Sequence, residues 1–184
     1  ARAVTYGLMG QNKGGASTIS QQLAKLLYTL NDSERGGVSK NKMERLKQKF
    51  GENVLAVRLE KAYTKEEIIT MYLNNFDFLN NAVGIETAAH VYFNKSPNEL
   101  NMQQAAMLVG MAKNPSLFNP LRKYDKTLAR RNVVLSQWKK DFDNPNLPVK
   151  ITQAQYDSLC ELPLGLDYQV VDHKKGIAHK TKQV

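Results

Sequence analysis

Helical spacing of the apolar residues constrains the fold of this chain more than any other feature of its sequence. In a first predicted helix, ending near Leu30, the apolar residues that share one face are Ile19, Leu23, Leu26, Leu27 and Leu30. A second helix is predicted over Lys42–Leu59, with a buried stripe formed by Leu46, Phe50, Val54 and Val57. The alternation of apolar and polar residues that is typical of strands is weak throughout. The sequence therefore predicts a mainly α-helical fold.

Capping residues and breaks mark where the predicted helices begin and end. Ser17 or Thr18 is predicted to cap the first helix, with Gln21 three or four residues further on. Thr64 is predicted to cap a helix over Lys65–Leu73, whose first turn carries two glutamates. A loop rich in asparagine is predicted at Asn74–Val83, and the remaining helices at Ile85–Tyr92, Asn101–Ala112, Lys126–Asp141 and Thr152–Cys160.

Charge narrows the class of partner. The 184 residues carry a formal net charge of +9, which favours nucleic acid, an anionic membrane surface or a phosphorylated substrate. Cys160 is the one cysteine, so an internal disulfide and a cysteine-based zinc cluster are excluded. The longest apolar run, near Ala105–Ala112, is far shorter than the roughly 20 residues that a membrane-spanning helix needs.

The segment from Gly14 to Lys25 is chemically the most unusual part of the chain. Two glycines, a run of hydroxyls, two amides and a lysine open one helix there. Glycines expose backbone N–H groups at the positive end of the helix dipole, and the side chains add donors and a full charge. The pattern indicates a cradle for an anion or a sugar phosphate. The alternative is a well-capped helix with a solvated polar face.

This segment resembles the second signature motif of the peptidoglycan glycosyltransferases (glycosyltransferase family 51), which are found alone or as the N-terminal module of bifunctional class A penicillin-binding proteins. Other stretches resemble later motifs of the family, in the same order, and they are Lys49–Glu52 with Leu55–Lys61, Thr64–Asn74, Gly84–Lys95 and Ala105–Pro120. The resemblance covers residues 1 to about 140.

The resemblance implies a lysozyme-like helical domain on the periplasmic face of the bacterial cytoplasmic (inner) membrane. It also implies the reaction. A growing glycan with a polyprenyl pyrophosphate leaving group is transferred to the 4-hydroxyl of GlcNAc in lipid II, with inversion to a β-1,4 bond. The implied partners are lipid II, the nascent glycan chain, the membrane surface and a moenomycin-type inhibitor, and nucleic acid is not among them. No metal site in the protein and no cofactor are expected, and only a divalent cation, magnesium or manganese, at the pyrophosphate is left open.

Site residues follow by position within the matching motifs. Glu52 matches the second of the family's two catalytic glutamates, the one placed near the pyrophosphate. Lys25 and Lys49 match basic residues that hold phosphate. The remaining predicted substrate-binding residues are Ser17, Thr18, Gln21, Gln22 and Asn74.

The chain also departs from the family pattern. The first glutamate of the family belongs to an E-D-x-x-F-x-x-H-x-G motif that this sequence lacks. Residues 1–143 are therefore expected to form an N-terminally incomplete transferase domain without polymerising activity, and residues 144–184 a connector toward a transpeptidase domain that is not included. Leu79 and Asn81 stand where the family has glycines, and Gln104 stands where it has glutamate. Leu79 adopts a positive φ only at a cost.

Two other functions fit some of these features. A lysozyme-like lytic enzyme would cleave glycan with one acidic glutamate, but it needs no pyrophosphate cradle at Ser17–Lys25. A nucleic-acid binder is suggested by charge alone, and the basic residues are not interleaved with stacking aromatics.

Overall fold

The computed structural model describes residues 17–31, 42–145 and 149–170. Gly14 and Gly15 of the predicted cradle lie outside these ranges. The helices are α1 (Ile19–Asn31), α2 (Lys42–Ala62), α3 (Lys65–Asn75), α4 (Ile85–Phe93), α5 (Met102–Met111), α6 (Tyr124–Lys140) and α7 (Gln153–Glu161), with a 3₁₀ turn at Pro97–Glu99. Within these ranges the only β pairing is one antiparallel bridge between Asp77 and Val83. The prediction of a mainly helical fold is confirmed for the part of the chain described.

The chain forms two compact units, one up to Asn75 and one from Phe76 onward. In the first unit, α1 packs against both α2 and α3. Buried apolar residues come from all three helices and are Leu23, Ala24, Ala56, Leu59, Ile68 and Tyr72. Two of these are alanines, whose small side chains allow neighbouring helices to approach closely.

The predicted buried stripe of α2 is wrong. Phe50 is 72% exposed and Leu46 is 66% exposed, and Val54 and Val57 are exposed as well. In α1, Ile19 is exposed although it was placed on the same apolar face as the buried Leu23. The face of α2 that is buried carries Ala56 and Leu59 instead. Helix periodicity identified the face of α2 with the larger apolar side chains, but the face that packs against its neighbours is the one with the small side chain of Ala56.

The second unit has its core where α5, α6 and α7 meet. Ala106, Leu135 and Ile151 form a buried cluster, and partly buried apolar residues pack around it. Trp138 is one of these, and its indole Nε1 donates a hydrogen bond to the Val149 carbonyl oxygen at 2.8 Å.

Residues 160–169, the C-terminal segment, are held to this core by polar groups from several elements. Arg131 is fully buried (0% exposed), and its guanidinium donates to the carbonyl oxygens of Cys160, Leu162 and Pro163 at 2.7–3.1 Å. Gln104 Nε2 donates to the Gly165 carbonyl oxygen at 3.2 Å. The described residues beyond 143 are therefore packed onto the second unit. The boundary at 143 and a connector role for 144–184 stay predictions, and residues 171–184 lie outside the described ranges.

The loop between α3 and α4 contains consecutive residues with positive φ: Leu79 (64°), Asn80 (52°) and Asn81 (65°). Tyr92 from α4 holds this loop, because its hydroxyl donates to the Phe78 carbonyl oxygen at 2.7 Å and accepts from Asn80 Nδ2 at 2.9 Å. Burial raises the pKa of Tyr92 to about 12, so this hydroxyl stays protonated near neutral pH. The strain predicted at Leu79 is therefore present, since this side chain occupies a conformation that suits glycine.

Candidate functional site

The N-terminus of α1 is organised by Thr18, as predicted. The Thr18 hydroxyl accepts from the Gln21 backbone N–H at 3.2 Å, and Gln21 Oε1 accepts from the Thr18 backbone N–H at 3.0 Å. This is a reciprocal capping box whose second member is a neutral amide. The first turn of α1 has no acidic residue, and Ser17 and Thr18 are exposed. The positive end of the α1 dipole is therefore not neutralised from within its first turn.

A hydrogen bond joins this helix start to α2. Gln21 Nε2 donates to Asn53 Oδ1 at 3.0 Å. Asn53 directly follows Glu52, so this contact brings the part of α2 that carries the predicted catalytic glutamate against the start of α1. Asn53 was not among the site residues predicted from the sequence. It lies four residues after Lys49 and three before Ala56 on the same helix face, but the burial of that face is set by helix packing and is not marked by a local sequence pattern.

Lys49 and Glu52 both lie on this part of α2. Lys49 is exposed and Glu52 is half-buried. Their spacing of three residues makes them neighbours on the helix surface, and Lys49 shares a face with Asn53. A cation and a carboxylate therefore stand on α2 beside the point where it meets the start of α1.

A second hydrogen bond joins α1 to α3. The Tyr72 hydroxyl donates to Gln22 Oε1 at 3.0 Å. Tyr72 is 5% exposed, and burial raises the pKa of its hydroxyl. Lys25 follows Gln22 by three residues and is exposed. The hydrogen bond between Tyr72 and Gln22 was not predicted from the sequence either, because the partner of Gln22 is set by the packing of α3.

Asn74 stands apart from the other predicted site residues. The predicted loop was to begin at Asn74, but α3 continues to Asn75, whose Nδ2 donates to the Met71 carbonyl oxygen at 2.8 Å. Asn74 is exposed near the end of this helix. Within the described ranges, no hydrogen bond joins its side chain to Gln21, Gln22 or Glu52.

Comparisons with known proteins agree with this arrangement of motifs. The profile of the transglycosylase family matches residues 1–139. Penicillin-binding protein 2a of Streptococcus pneumoniae (strain R6) is 43% identical over 122 residues, which are 66% of this chain and 15% of that protein. Penicillin-binding protein 1A of Escherichia coli (strain K12) is 38% identical over 168 residues, which are 91% of this chain and 18% of that protein. A crystal structure of penicillin-binding protein 1A from Haemophilus influenzae, at 29% sequence identity, aligns with a TM-score of 0.48 over 66% of this chain and 17% of that one.

The helical fold and the ordered motifs define a peptidoglycan glycosyltransferase module of the kind carried by class A penicillin-binding proteins. The chain belongs to the transglycosylase family. The predicted family is thereby confirmed, and the helices of the described residues agree with the predicted mainly α-helical fold class. The chain spans less than a fifth of the length of these curated relatives.

Across residues 17–31, 42–145 and 149–170, no group of three or more histidine, cysteine, aspartate or glutamate side chains is placed to hold a metal ion. In the same ranges, no helix is both long enough and apolar enough to cross a membrane.

Proposed function

We propose that this chain is the part of a peptidoglycan polymerase that binds the lipid-linked glycan through its pyrophosphate. The observation that carries the proposal is the start of α1. There the capping box consists of neutral side chains and the first turn has no acidic residue to offset the helix dipole, and the Gln21–Asn53 hydrogen bond brings the Lys49–Glu52 stretch of α2 beside it. An anion is stabilised at such a helix start.

The reaction that we propose is transfer of the growing glycan to the 4-hydroxyl of GlcNAc in lipid II. The hydroxyl oxygen forms a bond to the anomeric carbon while the bond from that carbon to the pyrophosphate breaks with inversion. The hydroxyl proton passes to a carboxylate base, a role for the family's first catalytic glutamate, whose motif is not in this sequence, and the pyrophosphate leaves with the bonding electrons. Negative charge therefore grows on the leaving group, and positive groups beside it lower the barrier.

Six of the eight predicted site residues have the following roles in this scheme. Lys25 and Lys49 supply full positive charges for the pyrophosphate, while Ser17 and Thr18 add hydroxyl donors at the helix start. Glu52 matches the family's glutamate near the pyrophosphate, and we assign it the catalytic carboxylate on this side of the site. Asn74 is kept as a substrate contact at the end of α3 on the strength of the resemblance alone.

A magnesium or manganese ion at the pyrophosphate stays a proposal. Magnesium and manganese prefer oxygen ligands, so phosphate oxygens would hold such an ion, with Glu52 as a candidate carboxylate ligand. We further propose that the domain works at the periplasmic surface of the cytoplasmic membrane, on lipid II and the nascent glycan, and that a moenomycin-type phosphoglycolipid competes for the same cradle.

Binding of lipid II in detergent micelles, measured by calorimetry, tests the proposal. We expect Lys25→Ala and Lys49→Ala each to weaken binding by about tenfold or more, because each removes a charge-assisted hydrogen bond to phosphate. Lys140→Ala, on the exposed end of α6, is the matched control and leaves the affinity unchanged.

The proposal is wrong if the unmodified chain binds lipid II no better than a neutral lipid of the same length. It is also wrong if the control lysine matters as much as Lys25, since attraction would then reflect net charge alone. Release of soluble muropeptides from isolated cell walls would favour the lytic alternative.

A further inference from the structure

The two adjacent amides of the cradle, Gln21 and Gln22, have different hydrogen-bond environments. Gln21 is engaged at both ends of its amide, since Oε1 accepts from the Thr18 N–H and Nε2 donates to Asn53. It joins the helix cap to α2. Gln22 has its carbonyl oxygen engaged by Tyr72, and the structure gives its Nε2 no hydrogen bond within the described ranges.

We propose that Tyr72 is a positioning residue for the substrate amide. Its buried hydroxyl holds the Gln22 carbonyl oxygen, so that the two N–H groups of Gln22 are kept for an anionic oxygen of the lipid-linked precursor. This inference rests on the proposed function and adds to it a residue that acts through Gln22 without touching substrate.

The chemistry of the pair favours this orientation. A primary amide is planar and carries its acceptor oxygen on one arm and its two N–H donors on the other, so a partner that binds the oxygen determines where the donors point. A phenolic hydroxyl is a strong donor, and burial raises the pKa of Tyr72, so the proton is present near neutral pH. Since Tyr72 comes from α3 and is 5% exposed, its position is set by helix packing and not by solvent.

The position of Gln22 on α1 explains why its donors matter. Thr18, Gln22 and Lys25 are spaced by four and then three residues, so they follow one another along one face of the helix. An anion that accepts from the Gln22 amide is therefore also near the charge of Lys25 and the positive start of the helix. A Gln22 amide turned the other way would direct its carbonyl oxygen at the anion and repel it.

A double-mutant cycle tests the inference, with lipid II affinity as the readout on the full 184-residue chain. We expect Tyr72→Phe to weaken binding by about threefold to tenfold, the size of one hydrogen bond. In a Gln22→Ala background the same change is expected to have no effect on affinity, because the amide that Tyr72 orients is gone. Tyr63→Phe, an exposed tyrosine just before α3, is the matched control and leaves binding unchanged.

Gln22→Glu gives a second test that does not depend on the stability of the Tyr72 variant. Glutamate keeps an acceptor for the Tyr72 hydroxyl but has no N–H groups, so we expect a normal melting temperature and a loss of affinity of about tenfold or more.

The outcomes separate the two proposals. An equal effect of Tyr72→Phe in both backgrounds overturns the positioning role, as does full binding by Gln22→Glu. Absence of lipid II binding by the unmodified chain overturns the proposed function, and this inference with it.

Discussion

The two units of this chain use polar side chains in opposite ways. In the second unit, Arg131, Gln104 and Tyr92 are buried, and their hydrogen bonds go largely to backbone carbonyl oxygens of the same unit. In the first unit, Thr18, Lys25 and Lys49 are exposed. These three buried side chains of the second unit hold its fold, whereas the three named residues of the first unit reach the surface. This difference locates the candidate site more clearly than charge does.

Within the first unit, the N-termini of α1 and α3 differ in the charge of their capping residues. Thr64 and Glu67 form a reciprocal capping box at α3, with Glu67 Oε2 accepting from the Thr64 backbone N–H at 2.8 Å. Thr18 and Gln21 form the same box at α1, with an amide in place of the carboxylate. The first turn of α3 also carries Glu66, while that of α1 has no acidic residue. The acidic first turn of α3 therefore offsets the dipole of that helix, whereas the first turn of α1 carries no acidic residue and can stabilise an anion.

The largest expected effect comes from Arg131→Met, which tests whether the polar groups of the second unit are structural. The change leaves three carbonyl oxygens without their donor, and we expect a loss of about 3 kcal/mol in the free energy of unfolding. Trp138, the one tryptophan in the sequence, packs on the core of this unit, so its fluorescence during urea unfolding reports the change.

Arg130→Met is the control for this experiment. Arg130 is half-buried, with one long hydrogen bond of 3.4 Å to the Gly110 carbonyl oxygen and a stacking contact with Phe118. We expect it to cost about 1 kcal/mol or less. Equal losses for the two variants would contradict the structural role of Arg131.

The next effect is on binding and comes from Gln21→Glu, which makes the α1 cap resemble that of α3. The carboxylate can still accept from the Thr18 N–H, so the cap is kept, but the donor to Asn53 is lost. Because its charge lies at the proposed pyrophosphate site, we expect lipid II affinity to fall about tenfold, measured by calorimetry. Glu67→Gln, the reverse exchange at α3, is expected to leave affinity unchanged. If Gln21→Glu binds normally, the cradle is not at the start of α1.

Thr18→Ala and Thr64→Ala form a matched pair of cap deletions. Each removes a side-chain acceptor at a helix start, and we expect each to lower the free energy of unfolding by about 1 kcal/mol. Urea unfolding monitored by far-ultraviolet circular dichroism measures this loss. Only the change at Thr18 is expected to weaken lipid II binding as well. A similar loss of affinity in both variants would mean that binding follows the stability of the unit and not the local site.

Local features of the structure were predictable from sequence. The helices begin and end within a few residues of the predicted bounds, because capping residues and prolines act on their own neighbours. The Thr18 cap and the Thr64 cap are confirmed for the same reason. The motifs of the site likewise lie in short contiguous stretches, so their order and spacing were readable.

Features that depend on tertiary packing were not predictable. Periodicity shows that α2 has an apolar face, but it cannot say that the face with Ala56 is buried and the face with Phe50 exposed. The contacts from Asn53 to Gln21 and from Tyr72 to Gln22 join residues 32 and 50 positions apart, so no local pattern contains them. The roles of Gln21 and Gln22 could be separated only once these partners were known.

The smallest expected effect comes from Leu79→Gly in the strained loop of the second unit. Leu79 has a φ of 64° in a loop held by the Tyr92 hydroxyl, and glycine adopts this conformation without the steric cost of a Cβ atom. Glycine also loses more conformational entropy on folding than leucine does, so we expect a net gain of only about 0.5 kcal/mol in the free energy of unfolding. The fluorescence of Trp138 during urea unfolding measures this gain. Leu100→Gly, at a half-buried leucine with a φ of −66°, is expected to destabilise instead. If this loop has only a structural role, we expect Leu79→Gly to leave lipid II affinity unchanged. A large change in affinity would instead place the strained loop in the binding site.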